Sequence, residues 1–210
     1  NGRTLFEETN LDRSIYFSDG YFSSRQWMSY RSQIEGVRSY NPHTVLEIGV
    51  GSGFVTSILR KCGYSVTTID INPGLEPDYV GSITDLDNVF QDKSFDVVLC
   101  AEVMEHLPFN LFNTCVHNIA KVSRNGAVVT LPNAKRQIIN IYGHIPKMEI
   151  NIFWGLGVSK IASEHHWEIE STKQTKLGNI TKSIGDYFTL QDIRRIEGNP
   201  YHMRFLLSKS

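Results

Sequence analysis

The stretch Val45-Leu-Glu-Ile-Gly-Val-Gly-Ser-Gly53 constrains the chain more than any other. A short apolar run closes on glycines at 49, 51 and 53, so a strand must turn where the backbone needs dihedrals that side chains resist. A helix starting just after such a turn offers free N–H groups and a positive dipole end to a carboxylate or phosphate. Seventeen residues after Gly53 a second apolar run ends at Asp70. A carboxylate there can accept both hydroxyls of a ribose. Strand, glycine turn, helix, strand and terminal acid make a nucleoside-binding crossover, and that unit belongs to parallel sheets.

The rest of the chain keeps the same rhythm. Short apolar runs at 44–48, 65–69, 79–80, 95–100 and 126–131 read as strands, with helices expected over 53–61 and 110–122. Before them, Ser23 and Ser24 are placed to cap a helix running to Tyr40, with Trp27, Tyr30, Ile34, Val37 and Tyr40 on one apolar stripe. After Pro132, residues 133–170 hold aromatics, glycines and histidines without clean periodicity and read as an insertion over the carboxyl edge of the sheet. A helix is expected over 172–183. Strands follow at 187–196 and 202–207, joined by the turn signal Gly198-Asn199-Pro200. The fold class expected is therefore α/β: a Rossmann-like doubly wound sheet, mostly parallel, with a closing antiparallel C-terminal hairpin and an insertion after strand five. One domain is expected over 1–210: lid and helix (1–40), cofactor-binding core (41–132), acceptor-side insertion (133–170), and closing helix and strands (171–210).

Composition removes several function classes. The 210 residues carry 21 basic and 22 acidic side chains, so no electrostatic attraction for nucleic acid is expected. No apolar run reaches the length of a membrane span, and no signal-peptide pattern is seen at the N-terminus. Cys62, Cys100 and Cys115 lack metal or disulfide spacing and read as reduced core thiols of a cytoplasmic protein. The sequence starts at Asn1 rather than Met, so a trimmed chain is expected.

The dinucleotide fingerprint would place its third glycine at 54, where this chain has Phe54. That disfavours a nicotinamide-dependent oxidoreductase. The pattern here is GxGxG with Glu47 two residues ahead of it. This resembles the first motif, (D/E)xGxGxG, of class I S-adenosylmethionine (SAM)-dependent methyltransferases. The resemblance continues through Asp70, through Phe95-Asp-Val-Val-Leu-Cys-Ala-Glu-Val-Met-Glu-His-Leu-Pro108, and through Asn125-Gly-Ala-Val-Val-Thr-Leu-Pro132. It covers about 45–132, with the blocks in the family's order. It implies SAM as cofactor. Glu47 with Gly49, Gly51 and Gly53 would hold the amino-acid end, and Asp70 the ribose. Ile71 would lie against adenine, and Ala101 and Glu102 would line the methionine moiety. Where relatives carry an adenine-binding Asp after strand three, this chain has Ser82, with the Ile83 amide beside it and Asp85 as a rival.

The candidate bases are His106, beyond strand four, and His165 or His166 in Ser163-Glu-His-His-Trp-Glu168. A histidine beside a carboxylate is a sound base-and-orienter pair. Neighbours in an extended segment face opposite ways, so one of the two enters a given site. No metal is expected, since no second cluster shows ligand spacing. Tyr142, Phe153, Trp154 and Trp167 are candidates for stacking on an acceptor, with packing of the insertion as the other reading. Tyr16 and Tyr21 are candidate lid residues, and Lys135 and Arg136 candidate contacts to an anionic acceptor. The expected reaction is methyl transfer to a small molecule or glycan, at oxygen. The Glu-His-His-Trp-Glu and Asn199-Pro-Tyr-His202 blocks faintly resemble bacterial enzymes thought to modify surface-polysaccharide sugars. The alternatives are a protein or nucleic-acid methyltransferase, or a non-catalytic SAM-binding protein.

Overall fold

The structure is a computed structural model that describes residue 2 and residues 4–145 and 148–209; within these, the side chains of 5, 6, 137, 138, 140–151 and 153 are not described. A short helix α1 (Leu5–Thr9) opens the chain, fixed by a capping box between Thr4 and Glu7. Helix α2 (Ser24–Ser39) follows, with Ser23 as its cap accepting from the Gln26 amide at 3.3 Å. Then come β1 (Thr44–Ile48), α3 (Phe54–Lys61), β2 (Ser65–Asp70), β3 (Tyr79–Val80), α4 (Leu86–Val89), β4 (Phe95–Ala101), α5 (Phe112–Val122) and β5 (Ser123–Pro132). A hairpin of β6 (Lys135–Ile145) and β7 (Met148–Val158), the helix α6 (Leu177–Gly185) and the strands β8 (Thr189–Ile196) and β9 (Asn199–Ser208) complete the chain.

Seven strands form one sheet in the order β3-β2-β1-β4-β5-β9-β8. The first five are parallel, and β9 runs antiparallel to both β5 and β8. The expected α/β sheet with a closing hairpin is thus what forms. Both faces are covered, which is why β1 and β4 carry apolar runs on consecutive positions, such as Val45-Leu46 and Val97-Val98-Leu99, rather than at alternate ones. Val45, Val97 and Leu99 face α2 and α3, together with Val55 and Leu59. Leu46, Ile48, Val98 and Cys100 face the opposite way, against Val116 and Ile119 of α5 and Ile180 and Ile184 of α6. The chain leaves β1 for β2 on one side and β4 on the other, so the strand order reverses between β1 and β4. A crevice at the carboxyl ends of the strands is the usual consequence.

Four expectations change. The stripe expected to bury α2 is only partly right: Val37 is buried, but Trp27 is exposed and the helix otherwise buries Ser29, Ser32, Gln33 and Gly36. A Cβ at Gly36 would lie 2.9 Å from Val128, so the helix can approach the sheet only through small residues. Residues 133–170 contain the regular hairpin β6–β7 rather than an irregular insertion. Ile139, Ile152, Trp154, Leu156 and Val158 on it are all exposed. Exposed positions such as these have no burial to select alternation, and register shifts at 135–139 blur the pattern further. Helix α6 begins at Leu177 rather than Thr172, because the Thr172 and Thr175 hydroxyls capture each other's amides at 3.2 and 2.9 Å. Cys62, last, is exposed at the end of α3, whereas Cys100 and Cys115 are buried as expected.

Candidate active site

The site begins at the carboxyl end of β1. Gly49, Gly51 and Gly53 all have left-handed φ, at 83°, 53° and 71°. A Cβ on Gly49 would also lie 2.5 Å from Val103, so the loop leaving β4 presses directly on the turn. Gly53 caps α3 without a side-chain hydrogen bond of its own, and the Phe54 amide that opens the helix donates to the Ser52 hydroxyl at 3.4 Å. Asp70 ties the turn to β2: its Oδ2 accepts from the Val50 amide and its Oδ1 from the Asn72 amide, both at 2.8 Å. Burial raises its carboxyl, against those same hydrogen bonds. Each oxygen retains a lone pair for a hydroxyl. Glu47 lies beneath the turn. It is buried, and its Oε2 accepts from the Thr56 hydroxyl of α3 at 2.6 Å. Burial pushes its carboxyl up to about 7.

Ile71 follows Asp70 half-buried. Ser82 caps a short turn: its hydroxyl lies 2.8 Å from that of Thr84 and accepts from the Thr84 amide at 3.2 Å. Its rival Asp85 is exposed and accepts from the Thr84 hydroxyl, while Ile83 is buried and its carbonyl holds Asn118. Over the crevice lies the N-terminal segment. The Leu11 carbonyl accepts from Asn72 at 2.9 Å, and the Tyr16 ring sits 3.6 Å from where a Gly51 Cβ would be. Tyr16 and Tyr21 pack edge-on at 5.2 Å and share with Trp27, Tyr30 and Phe54 a cavity of about 230 Å³ beside Gly53.

Beyond β4 stands a buried group of acids and histidines. Ala101 ends the strand, and Glu102 takes a left-handed φ of 54°, uncommon for a residue with a side chain. Glu105 is fully buried, and its carboxyl is raised by burial and then by the neighbouring Glu102. His106 Nδ1 meets Glu8 of α1 at 3.1 Å. The segment 165–169 lies against this loop: the His166 amide donates to the Glu105 carbonyl at 2.9 Å, and the Trp167 indole to the Leu107 carbonyl at 3.0 Å. Alternation along it sends His165 and His166 to different places. His165 is buried with its ring 5.0 Å from that of His106, while His166 lies half-buried beside Gly2. Glu168 orients His165, at 3.0 Å from its Nδ1, and also accepts from the Tyr201 hydroxyl at 2.6 Å and the Ala162 amide at 2.9 Å. Burial alone would raise the Glu168 carboxyl, but these bonds outweigh it and hold it low. His202 reaches the group from β9, with Nε2 3.3 Å from Glu102 and Nδ1 2.9 Å from the Ser29 hydroxyl.

Sequence reasoning missed Glu105, Tyr201 and Glu8 as members of this group. The Glu102-x-x-Glu105-His106 spacing was the available signal for the first. Nothing local marks the other two, which arrive from β9 and α1. Among the stacking candidates, Trp167 is buried against Phe109 and Phe112 and is a packing residue, whereas Trp154 is exposed on the hairpin. The side chains of Tyr142 and Phe153 lie outside the described residues. Lys135 and Arg136 are exposed at the start of β6.

Residues 46–131 match a protein family described as "Methyltransferase domain". The chain is 33% identical over 97 residues to a ubiquinone biosynthesis O-methyltransferase of Xanthomonas euvesicatoria, covering 40% of this chain and 38% of that protein. It superposes with a TM-score of 0.60 and 15% identity on a Burkholderia thailandensis 1,6-didemethyltoxoflavin-N1-methyltransferase, which holds its substrate and S-adenosylhomocysteine; 100% of this chain and 92% of that one are covered. A Synechocystis magnesium protoporphyrin IX methyltransferase with S-adenosylhomocysteine gives 0.62 at 15% identity, covering 98% and 97%. At these identities the structural matches speak for the fold. No helix among the described residues is long and apolar enough to cross a membrane.

Proposed function

We propose that this chain, whose fold is that of the class I SAM-dependent methyltransferases and whose residues 46–131 belong to the methyltransferase-domain family, transfers a methyl group to a hydroxyl of a small molecule or glycan. The observation that carries the reading is what gathers at the reversal of strand order: three left-handed glycines after β1, Asp70 tied to their turn from the end of β2, and a buried acid–histidine group beyond β4. Bound SAM would supply a sulfonium-activated methyl group. The residues fit that cofactor. The positive N-terminal end of α3 suits its carboxylate, and the remaining lone pairs of Asp70 suit its ribose. In this reading Ile71, Ser82 and the Ile83 amide would meet adenine, and Ala101 with Glu102 the methionine moiety.

What the protein does beyond binding is hold two reactants in line and keep water out, and such orientation supplies much of the rate. The N-terminal segment supports a lid role for Tyr16 and Tyr21. On the acceptor side, Glu168 fixes His165 at Nδ1, which leaves Nε2 to carry the lone pair, and the ring stands in one group with Glu105 and His106. Such a lone pair can take a hydroxyl proton or bind a cation. Acceptor oxygen is favoured over nitrogen by this donor set and by the O-methyltransferase relative. We read 1–210 as a single domain, with 133–170 contributing to acceptor choice. Release of S-adenosylhomocysteine from SAM in the presence of polyhydroxylated acceptors, sugars and catechols, tests the proposal. Turnover on hydroxyl acceptors supports it. SAM binding with turnover only on amines, or with none, contradicts it.

A further inference from the structure

We infer that Glu105, His106 and His165 form a binding site for one divalent first-row transition-metal ion. Each offers one ligand atom, and these atoms lie within 4.8 Å of one another. Tetrahedral ligands at a metal–ligand distance of about 2.1 Å stand roughly 3.4 Å apart, so closure draws the ligand atoms together by up to about 1.4 Å. The residues come from two separate segments, the β4 exit and 165–169, which are hydrogen-bonded to each other through the His166 amide and Glu105 carbonyl.

The independent observation is the state of Glu105. It is fully buried against the Glu102 carboxylate, and among the described residues no N–H or O–H donor reaches either of its carboxylate oxygens. Buried polar atoms are nearly always satisfied, and a pair of orphaned oxygens on one buried carboxylate calls for an unseen partner. Glu102 adds to the demand, since its Oε1 is also buried without a partner and its backbone sits in a strained region. A dication answers both acids at once.

The outer contacts match as well. A histidine that ligates through Nε2 ordinarily gives its Nδ1 hydrogen to a carboxylate, which fixes the tautomer and strengthens the ligand. Both histidines have that arrangement: His106 with Glu8 at 3.1 Å and His165 with Glu168 at 3.0 Å. Two imidazoles with one carboxylate select Mn²⁺, Fe²⁺, Co²⁺ or Zn²⁺ over Mg²⁺. This revises the expectation of no metal, which rested on spacing along the chain. The site stands on its own geometry and does not require the methyl-transfer reading.

Calorimetric titration of chelator-treated protein with Mn²⁺, without SAM, tests the site. One saturable site per chain is expected. Glu105→Gln and His165→Asn should each weaken it at least tenfold, on the order of what even outer-shell changes cost. His117→Asn, on the exposed side of α5, should leave it unchanged. Circular dichroism checks that the variants fold. Should Glu105→Gln not fold, the visible spectrum of the Co²⁺ form of the wild type reports nitrogen ligation directly. No saturable binding, equal binding in all variants, or Mg²⁺ binding as tight as Mn²⁺ would overturn the assignment. SAM titrated separately keeps the two readings apart: SAM binding without Mn²⁺ binding refutes only the metal site.

Discussion

Replacing Glu47 with Gln should make the protein more stable at neutral pH, which is unusual for a change at a buried, hydrogen-bonded residue. Glu47 is 4% exposed, and its one side-chain partner among the described bonds is the Thr56 hydroxyl. Burial raises the carboxyl from an ordinary 4.5 to about 7. A group whose folded value lies above its unfolded value costs stability when it ionises. That cost is absent below pH 4.5, grows as pH climbs toward 7 and then levels off. The gap of roughly 2.5 pH units, at about 1.4 kcal/mol each, amounts to about 3 kcal/mol. Gln is nearly isosteric, can still accept from Thr56 and never ionises. Urea denaturation of both proteins at intervals between pH 4.5 and 8.5 gives the comparison. The stability of Glu47→Gln relative to wild type should rise by about 3 kcal/mol across that range. A difference that stays flat with pH would refute the burial argument and place the ionised carboxylate in contact with solvent or a cation.

Three further outcomes follow from the packing. Gly49→Ala must both hold a left-handed φ and press a Cβ to 2.5 Å from Val103, so it should cost about 2–4 kcal/mol and weaken SAM binding, read by melting and titration. Trp167→Ala removes a fully enclosed ring and one indole hydrogen bond, and should lower stability by about 3–5 kcal/mol in urea. In the native protein an Ellman-type reagent should titrate one thiol, Cys62, quickly. Cys100 and Cys115, both buried with thiols pushed up, the latter to about 12, should react only on unfolding.

The sheet was legible because its central strands are buried on both faces and bounded by turns: β1 falls on its expected residues, β2, β4 and β5 run only a few residues longer, and the exposed edge strand β3 also falls where expected. The glycine turn and Asp70 were legible for a related reason, since left-handed backbone and a strand-end acid are local demands. The acid–histidine group was not. His106 and His165 were each singled out, but Glu105 and Tyr201 join them from the β4 exit and β9, and only folding brings the group together. The hairpin β6–β7 escaped because an exposed ribbon leaves no burial pattern in its sequence.

Everything said of the site depends on SAM lying on the turn at 49–53 beside Asp70. Calorimetric titration of SAM into wild type and Asp70→Ala measures that directly. The geometry predicts saturable one-to-one binding by the wild type and a loss of at least about tenfold in Asp70→Ala, since each charge-assisted hydrogen bond removed is worth roughly 1.5–3 kcal/mol. Undetectable binding to the wild type, or equal affinity for both proteins, would contradict it.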